Sequence, residues 1–354
     1  MQVLIFTLEL FQSAGAAFAV GTTPMDRILP QEYGRLAAKQ ATGQGRHLPR
    51  APGWQGGAKR ALSPPVCLPP PFLTTSKEIA MQFVEANGAR IPQIGLGTMT
   101  LKEDVCVQAV KTALQVGYRH IDTAAFYGNE KENGEGLRAS GVKREDVFIC
   151  TKVRENNLLP ENFNKSLDQS LANLQLPYVD LLLIHWNNKD IPFSTSIAAL
   201  CAAKKDGRAK HVGVANFTTK MLDEAWAVTS EPLVCNQIEM HPFINQDKVV
   251  AASKKRGMAV VAYCPIARGK VPGAEALERI GTAHGKSAAQ VSLRYLVQMG
   301  ICAIPRTATP AHLKANLDVF DFKLSDAEMA ELKKLNDTNM RVVNPPHAPV
   351  WDTP

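Results

Sequence analysis

Cysteine is sparse in this chain and never closely paired: seven residues in 354, with no C-x-x-C spacing. Cys106, Cys150, Cys201, Cys235, Cys264 and Cys302 lie scattered among apolar residues. That disfavours a disulfide framework or a zinc ribbon and suits reduced thiols buried in a protein of the cytoplasm. No apolar run reaches the roughly 18–20 residues a membrane-spanning helix needs. No basic block with interleaved aromatics accompanies the net charge of +7, so a nucleic-acid surface is not indicated. No G-x-G-x-x-G follows a strand, because Gly95-Leu96-Gly97-Thr98 is too short for that fingerprint, and a Rossmann dinucleotide site is disfavoured.

The charge that is present is unevenly placed. Residues 1–80 contribute +4 and the remaining 274 only +3. The same 80 residues hold nine of the 23 prolines and eight of the 24 glycines, without a sustained period of 2 or 3.6. They read as a disordered extension, or as sequence translated upstream of a start at Met81. Their first twenty residues are apolar but lack a basic start and contain Glu9, unlike a secretory signal.

From Met81 to Pro354 the pattern is regular, and these residues are expected to form one domain. Asn87-Gly88 between two short apolar runs predicts a β-hairpin. Eight apolar runs follow: Ile94–Leu96, Arg119–Ile121, Val147–Cys150, Val179–Ile184, His211–Val214, Val234–Ile238, Met258–Ala262 and Ile301–Ile304. Between them lie amphipathic segments with helix signals. Lys102-Glu103-Asp104 opens one that ends at Gly117, Pro160-Glu161 opens another, and Ser325-Asp326-Ala327-Glu328 has capping-box form. Strands alternating with helices imply a parallel sheet. Eight units over about 250 residues fit a (β/α)8 barrel of the α/β class, with the hairpin plugging its bottom.

Chemistry in such a barrel sits at the C-terminal ends of the strands. The second run ends on His120-Ile121-Asp122, the third on Thr151-Lys152 and the fourth on Ile184-His185. Buried charges there must pair or react. Tyr127 follows Asp122 by five residues. Free tyrosine, with a pKa of about 10, is a poor acid at neutral pH. The Lys152 ammonium is expected to lower that value, with Asp122 holding the lysine in place. His185 could then orient a carbonyl oxygen. Hydride addition builds negative charge on that oxygen, and two donors aimed at it would stabilise the transition state.

Six segments carry a family resemblance: Gly117-Tyr118-Arg119-His120-Ile121-Asp122-Thr123-Ala124, Phe126-Tyr127-Gly128-Asn129-Glu130, Thr151-Lys152-Val153, Leu183-Ile184-His185-Trp186, Gly213-Val214-Ala215-Asn216-Phe217 and Asn236-Gln237-Ile238-Glu239. Over residues 81 to about 350 the chain closely resembles the aldo-keto reductase family, in particular its short bacterial members of the 2,5-diketogluconate reductase type. The resemblance implies a catalytic tetrad of Asp122, Tyr127, Lys152 and His185. It implies NADPH as cofactor, with NADH as an alternative, and reduction of small aldehydes or ketones. Gly97 and Thr98 are placed at the cofactor site, and Asn216 and Gln237 at the nicotinamide carboxamide. Tyr263 would stack on the nicotinamide, and the turn containing Pro265, Ile266 and Arg268 would follow the pyrophosphate. Arg306 and Thr307 would take the 2′-phosphate, beside a helix that Thr309 could cap and Pro310 could open. Met99, His185 and Trp186 would line the substrate pocket. A monomer is implied, with neither membrane nor nucleic acid as partner.

Several positions depart from the family's usual residues. Ala215 and Cys264 stand where serine is common, and Ala315 where glutamate is frequent beside Asn316. His312 replaces an arginine at the adenosine phosphate, and neutral histidine lacks the bidentate contact arginine gives. Weaker NADPH binding is expected, improving in mildly acid solution. Met99 replaces a tryptophan and implies an adaptable pocket. The short segment after the last helix suits keto sugars or 2-oxoaldehydes. Two other readings are a metal-dependent hydrolase on the same barrel and a non-catalytic cofactor-binding protein. The first is disfavoured because no H-x-H ends the first strand.

Overall fold

The computed structural model describes residues 81–353, so the expected N-terminal extension lies outside the described residues. The Asn87-Gly88 turn forms where expected, because both residues adopt the positive φ (45° and 89°) that a tight hairpin needs. It joins β1 (Phe83–Ala86) to β2 (Ala89–Pro92) in antiparallel register. The Asn87 amide donates to the carbonyls of Leu233 and Arg256, at 2.8 and 2.9 Å, where two barrel strands begin. Ala86, Ala89 and Ile91 are buried against Phe148, Leu181, Val234, Ala259 and Cys302 inside the barrel. The hairpin therefore closes the bottom.

Eight parallel strands follow in sequential order: β3 (Leu96–Gly97), β4 (His120–Asp122), β5 (Phe148–Val153), β6 (Val179–Ile184), β7 (Ala209–Ala215), β8 (Leu233–Glu239), β9 (Ala259–Tyr263) and β10 (Cys302–Ala303). Three backbone bonds join the last strand region to the first: Ala303 N–H to Gln93 O, Gly95 N–H to Ala303 O and Gly97 N–H to Pro305 O, at 2.8, 2.9 and 3.1 Å. That contact completes the (β/α)8 barrel. Gly97 is needed for it, since a Cβ there would lie 2.7 Å from Ile304 O.

The helices are α1 (Glu103–Gln115), α2 (Glu130–Ser140), α3 (Pro160–Leu174), α4 (Phe193–Lys205), α5 (Thr219–Val228), α6 (Asp247–Lys255), α7 (Glu275–His284), α8 (Ala288–Gln298), α9 (Pro310–Leu317) and α10 (Asp326–Lys334). Pro160 occupies the first turn of α3, and Ser325 with Glu328 makes a complete capping box on α10. Two helices rather than one separate β9 from β10. Among the described residues, no helix is long and apolar enough to cross a membrane.

Alternation along each strand sorts its side chains. On β5, Ile149 and Val153 pack outward in the main core, while Phe148 and Cys150 pack inside the barrel. Lys152 shares that inward parity and is the last inward residue of the strand. Asp122 is the last residue of β4 and stands opposite Cys150 in register. Both charged groups thus arrive at the top of the barrel interior by strand parity alone.

The helix layer is tightly fitted. A Cβ at Gly134 in α2 would lie 2.2 Å from Leu174 O at the end of α3. Alanine is the better helix former by roughly 1 kcal/mol, but the backbone carbonyl cannot yield cheaply. Gly134→Ala is expected to destabilise the protein by about 1–3 kcal/mol in chemical denaturation; a variant more stable than the parent would contradict this packing.

Candidate active site

The Lys152 ammonium donates to Asp122 Oδ1 at 2.5 Å and to the Thr123 carbonyl at 2.8 Å, and both charged side chains are buried. Asp122 Oδ2 accepts from Gln237 Nε2 at 2.8 Å. Both carboxylate oxygens are therefore fixed. Burial by itself would lower the lysine. Asp122, then Tyr127 and Cys150, act in the opposite direction and prevail, so Lys152 titrates above the usual lysine range and stays charged.

Tyr127 closes a short helical turn, Ala125–Tyr127, that ends on Gly128 at φ 61°. The Lys102 ammonium donates to the Tyr127 carbonyl and tethers the turn. Lys152 Nζ lies 5.2 Å from the centre of the Tyr127 ring. The sequence suggested that this ammonium would make the phenol more acidic than free tyrosine. Here burial outweighs it: desolvation pushes Tyr127 up to about 12, while Lys152 pulls the other way. The lysine is already committed to Asp122, so less of its field is available to the phenol. Tyr127 consequently keeps its proton throughout the neutral range.

His185 follows β6 directly, and its backbone N–H donates to Val153 O at 2.9 Å. Its ring meets that of Tyr127 edge-on at 5.8 Å. Burial, then the positive charges of Lys152 and Arg154 and the His347 ring, hold it well below the usual imidazole range. It is neutral at neutral pH and carries one N–H. Tyr127 and His185 each keep part of their surface exposed, whereas Asp122 and Lys152 do not. The arrangement is a buried ion pair beneath two neutral hydrogen-bond donors.

The ends of β7, β8 and β9 carry the next group. Asn216 adopts φ 63°, which its short amide side chain tolerates. Its Nδ2 donates to His185 O at 3.0 Å, and its Oδ1 accepts the Tyr263 hydroxyl at 2.7 Å. Its backbone N–H donates to Gln237 O at 2.9 Å. Asn216, Gln237 and Tyr263 are thus assembled beside the tetrad, with Gln237 also bonded into it. After Tyr263, Cys264, Ala267 and Arg268 all take positive φ, and Ser292 Oγ donates to Pro265 O at 2.6 Å. Ile266 is partly buried against the main core, and Arg268 is exposed.

Arg306 is exposed and Thr307 partly so, after β10. Pro310 takes the first turn of α9 as expected, but Thr309 makes no side-chain cap. Its backbone N–H donates to Thr307 Oγ1 at 3.1 Å. Backbone donors at the start of α9 are therefore left without a capping side chain. They fit a phosphate, as do Arg306, Thr307 and the exposed His312. Asn316 is buried on the same helix. Gly97 and Thr98 are buried at the strand ends, where Thr98 donates through both N–H and Oγ1 to Asp122 O, at 3.0 Å each. They brace the Asp122 backbone. Among the described residues, no group of three His, Cys, Asp or Glu side chains is placed to hold a metal ion.

The mouth of the site joins the expected Trp186 and Met99 to His347, Trp351 and Phe126, to which the sequence assigned no role. Trp186 is buried, and His347 and Trp351 meet it edge-on at 5.2 and 6.0 Å. Met99 is exposed, as is Phe126, whose ring lies 6.3 Å from that of His185. The Asn129 amide donates to Thr98 O and Leu101 O, at 2.8 Å each, and its Oδ1 accepts from Thr123 Oγ1 at 2.9 Å. It locks the Tyr127 turn to the first strand. The Asn129 position was visible in sequence. The aromatic contacts of residues 347 and 351 were not, since no local pattern links them to residue 186.

The profile of the Aldo/keto reductase family matches residues 93–337. A methylglyoxal reductase DkgB of Escherichia coli O157:H7 is 40% identical over 266 residues, covering 74% of this chain and 99% of that protein. A solved structure described as a 2,5-diketo-D-gluconic acid reductase B is 42% identical with a TM-score of 0.76, covering 78% of this chain and 99% of the other. The Bombyx mori aldo-keto reductase, solved in complex with NADP, is 33% identical with a TM-score of 0.69, over 74% of this chain and 94% of the other. The barrel, the strand-end residues and these likenesses agree: the chain belongs to the aldo-keto reductase family of oxidoreductases.

Proposed function

We propose that residues 81–354 form a catalytic domain that reduces small aldehydes and ketones to alcohols with NADPH, and that Tyr127 donates the proton. The observation that carries this reading is the placement of two neutral donors, Tyr127 and His185, above the Lys152–Asp122 pair. A carbonyl oxygen received between those donors would be polarised from two sides. Bound NADPH supplies the hydride. As charge grows on the oxygen, the phenol gives up its proton, and the Lys152 ammonium stabilises the phenolate left behind. A phenol that titrates near 12 stays loaded with its proton until that charge appears. Neutral His185 holds the oxygen without competing as an acid.

The cofactor is assigned to the chain's own donor set. Asn216 and Gln237 would take the carboxamide and Tyr263 the face of the ring, with Pro265, Ile266 and Arg268 beside the pyrophosphate. Arg306, Thr307, His312 and Asn316 would take the adenosine end. Methylglyoxal and related 2-oxoaldehydes, with keto sugars, are the proposed substrates, supported by the likeness to a methylglyoxal reductase. A reducing, cytoplasmic setting is supported by the described cysteines, all of them free thiols and five of the six buried.

Three measurements test the reading. Tyr127→Phe is expected to lower kcat for methylglyoxal by about 10²–10⁴-fold while NADPH still binds; near-normal turnover would refute the assignment of the proton donor. Lys152→Met leaves a buried carboxylate unpaired and is expected to cost about 3–5 kcal/mol of stability together with activity. Adding Asp122→Asn should restore most of the stability and none of the turnover. His312→Arg is expected to tighten NADPH binding by about tenfold and to leave NADH binding unchanged, because a guanidinium gives the bidentate phosphate contact that imidazole lacks. Equal effects on the two cofactors would remove His312 from the phosphate site.

A further inference from the structure

Glu239, the last residue of β8, has no part in the reaction described above, yet it is wholly buried and fully engaged. Its Oε1 accepts the backbone N–H of Val342 at 2.6 Å, and its Oε2 accepts that of Val343 at 2.8 Å. His241 Nε2 lies 3.0 Å from the same Oε1. Phe243 N–H donates to His241 Nδ1 at 3.3 Å, which leaves the ring proton on Nε2, directed at Glu239. One carboxylate thus gathers three donors, two of them from a segment more than a hundred residues away.

That segment forms a strap across the strand ends. It follows α10, and Met340 N–H donates to Phe243 O at 2.7 Å. Beyond Val343 it carries His347 and Trp351 to the edge of Trp186. The Arg341 guanidinium stacks on the Trp351 ring at 3.7 Å. At its far end, Asp352 accepts from Thr219 N–H and Oγ1, at 2.9 and 2.6 Å. The strap is therefore pinned at Glu239 and at Thr219, and the two aromatic side chains between the pins stand beside the residue that adjoins His185.

We propose that Glu239 is a positioning residue: it latches the strap so that His347 and Trp351 wall the carbonyl site, and so sets the affinity for the carbonyl substrate from a distance. The proposal rests on the reductase reading. The chemistry requires a carboxylate. Two backbone donors meet two different side-chain oxygens, so an amide at this position would turn its NH₂ toward one of them. Glutamine is therefore not an equivalent residue here, despite its shape.

The test is Glu239→Gln in the full-length chain, with methylglyoxal at saturating NADPH. KM is expected to rise at least about tenfold, with kcat changed less than about threefold and NADPH affinity unaltered. Amide exchange at Val342 and Val343 is expected to quicken by at least about a hundredfold. In a His347→Ala/Trp351→Ala background, Glu239→Gln is expected to add no further rise in KM. An unchanged KM, an undiminished rise in that background, or a parallel loss of kcat and NADPH binding would overturn the latch. Should Glu239→Gln not fold, Val343→Pro removes one donor from the partly exposed strap and is expected to raise KM in the same way; a normal KM there overturns the proposal equally. Amide exchange needs no turnover. An inactive parent chain would count against the reductase reading, while exchange insensitive to Glu239→Gln would count against the latch.

Discussion

An ammonium and a carboxylate share the dry upper end of the barrel, and the surrounding structure is arranged to keep them there. Neither charge could be buried alone, because each would lose its hydration without return. Together they form a closed set: Lys152 is held by Asp122 and Thr123, and Asp122 is held also by Gln237. Thr98 then fixes the Asp122 backbone. The pair also sets the character of its neighbours. Burial keeps His185 neutral and the positive end of the pair reinforces it, while the same charge opposes the desolvation of Tyr127.

The barrel supplies what such a pair needs. Parallel strands with alternating parity deliver a side chain to the interior at every second residue. The apolar floor of Phe148, Cys150, Leu181 and Cys302 excludes water from below, and the hairpin seals that floor. At the other end, the Tyr263 hydroxyl donates to Asn216, and the Asn216 amide donates in turn to the His185 carbonyl. The proposed catalytic residues and the residues proposed to hold the cofactor are thus one hydrogen-bonded rim rather than two adjoining groups. A change at Asn216 would be felt at His185 without direct contact between their side chains.

The strap provides a wall that the barrel strands cannot. Strand ends can hold polar groups in register, but they end at the rim. Trp186 becomes a walled surface only when His347 and Trp351 are brought against it. That requires an anchor at the strand ends, and a buried carboxylate, whose two oxygens both accept, is suited to receive consecutive backbone amides.

The sequence by itself determined the elements and the chemical inventory. Asn87-Gly88 specified the hairpin, Ser325 and Glu328 the start of α10, and the eight apolar runs the barrel strands. These signals act within a few residues, so a linear reading recovers them. Asp122, Lys152 and His185 were legible because strand ends are recognisable locally. Tertiary structure decided how those groups act on one another. Burial overrode the ammonium at Tyr127, the Thr309 side chain left α9 uncapped, and Gln237 turned toward Asp122. Glu239 looked like one more letter of a motif until closure of the barrel brought residues 342 and 343 onto it. Desolvation and long-range hydrogen bonding are properties of the assembled interior, and no stretch of neighbouring residues encodes them alone.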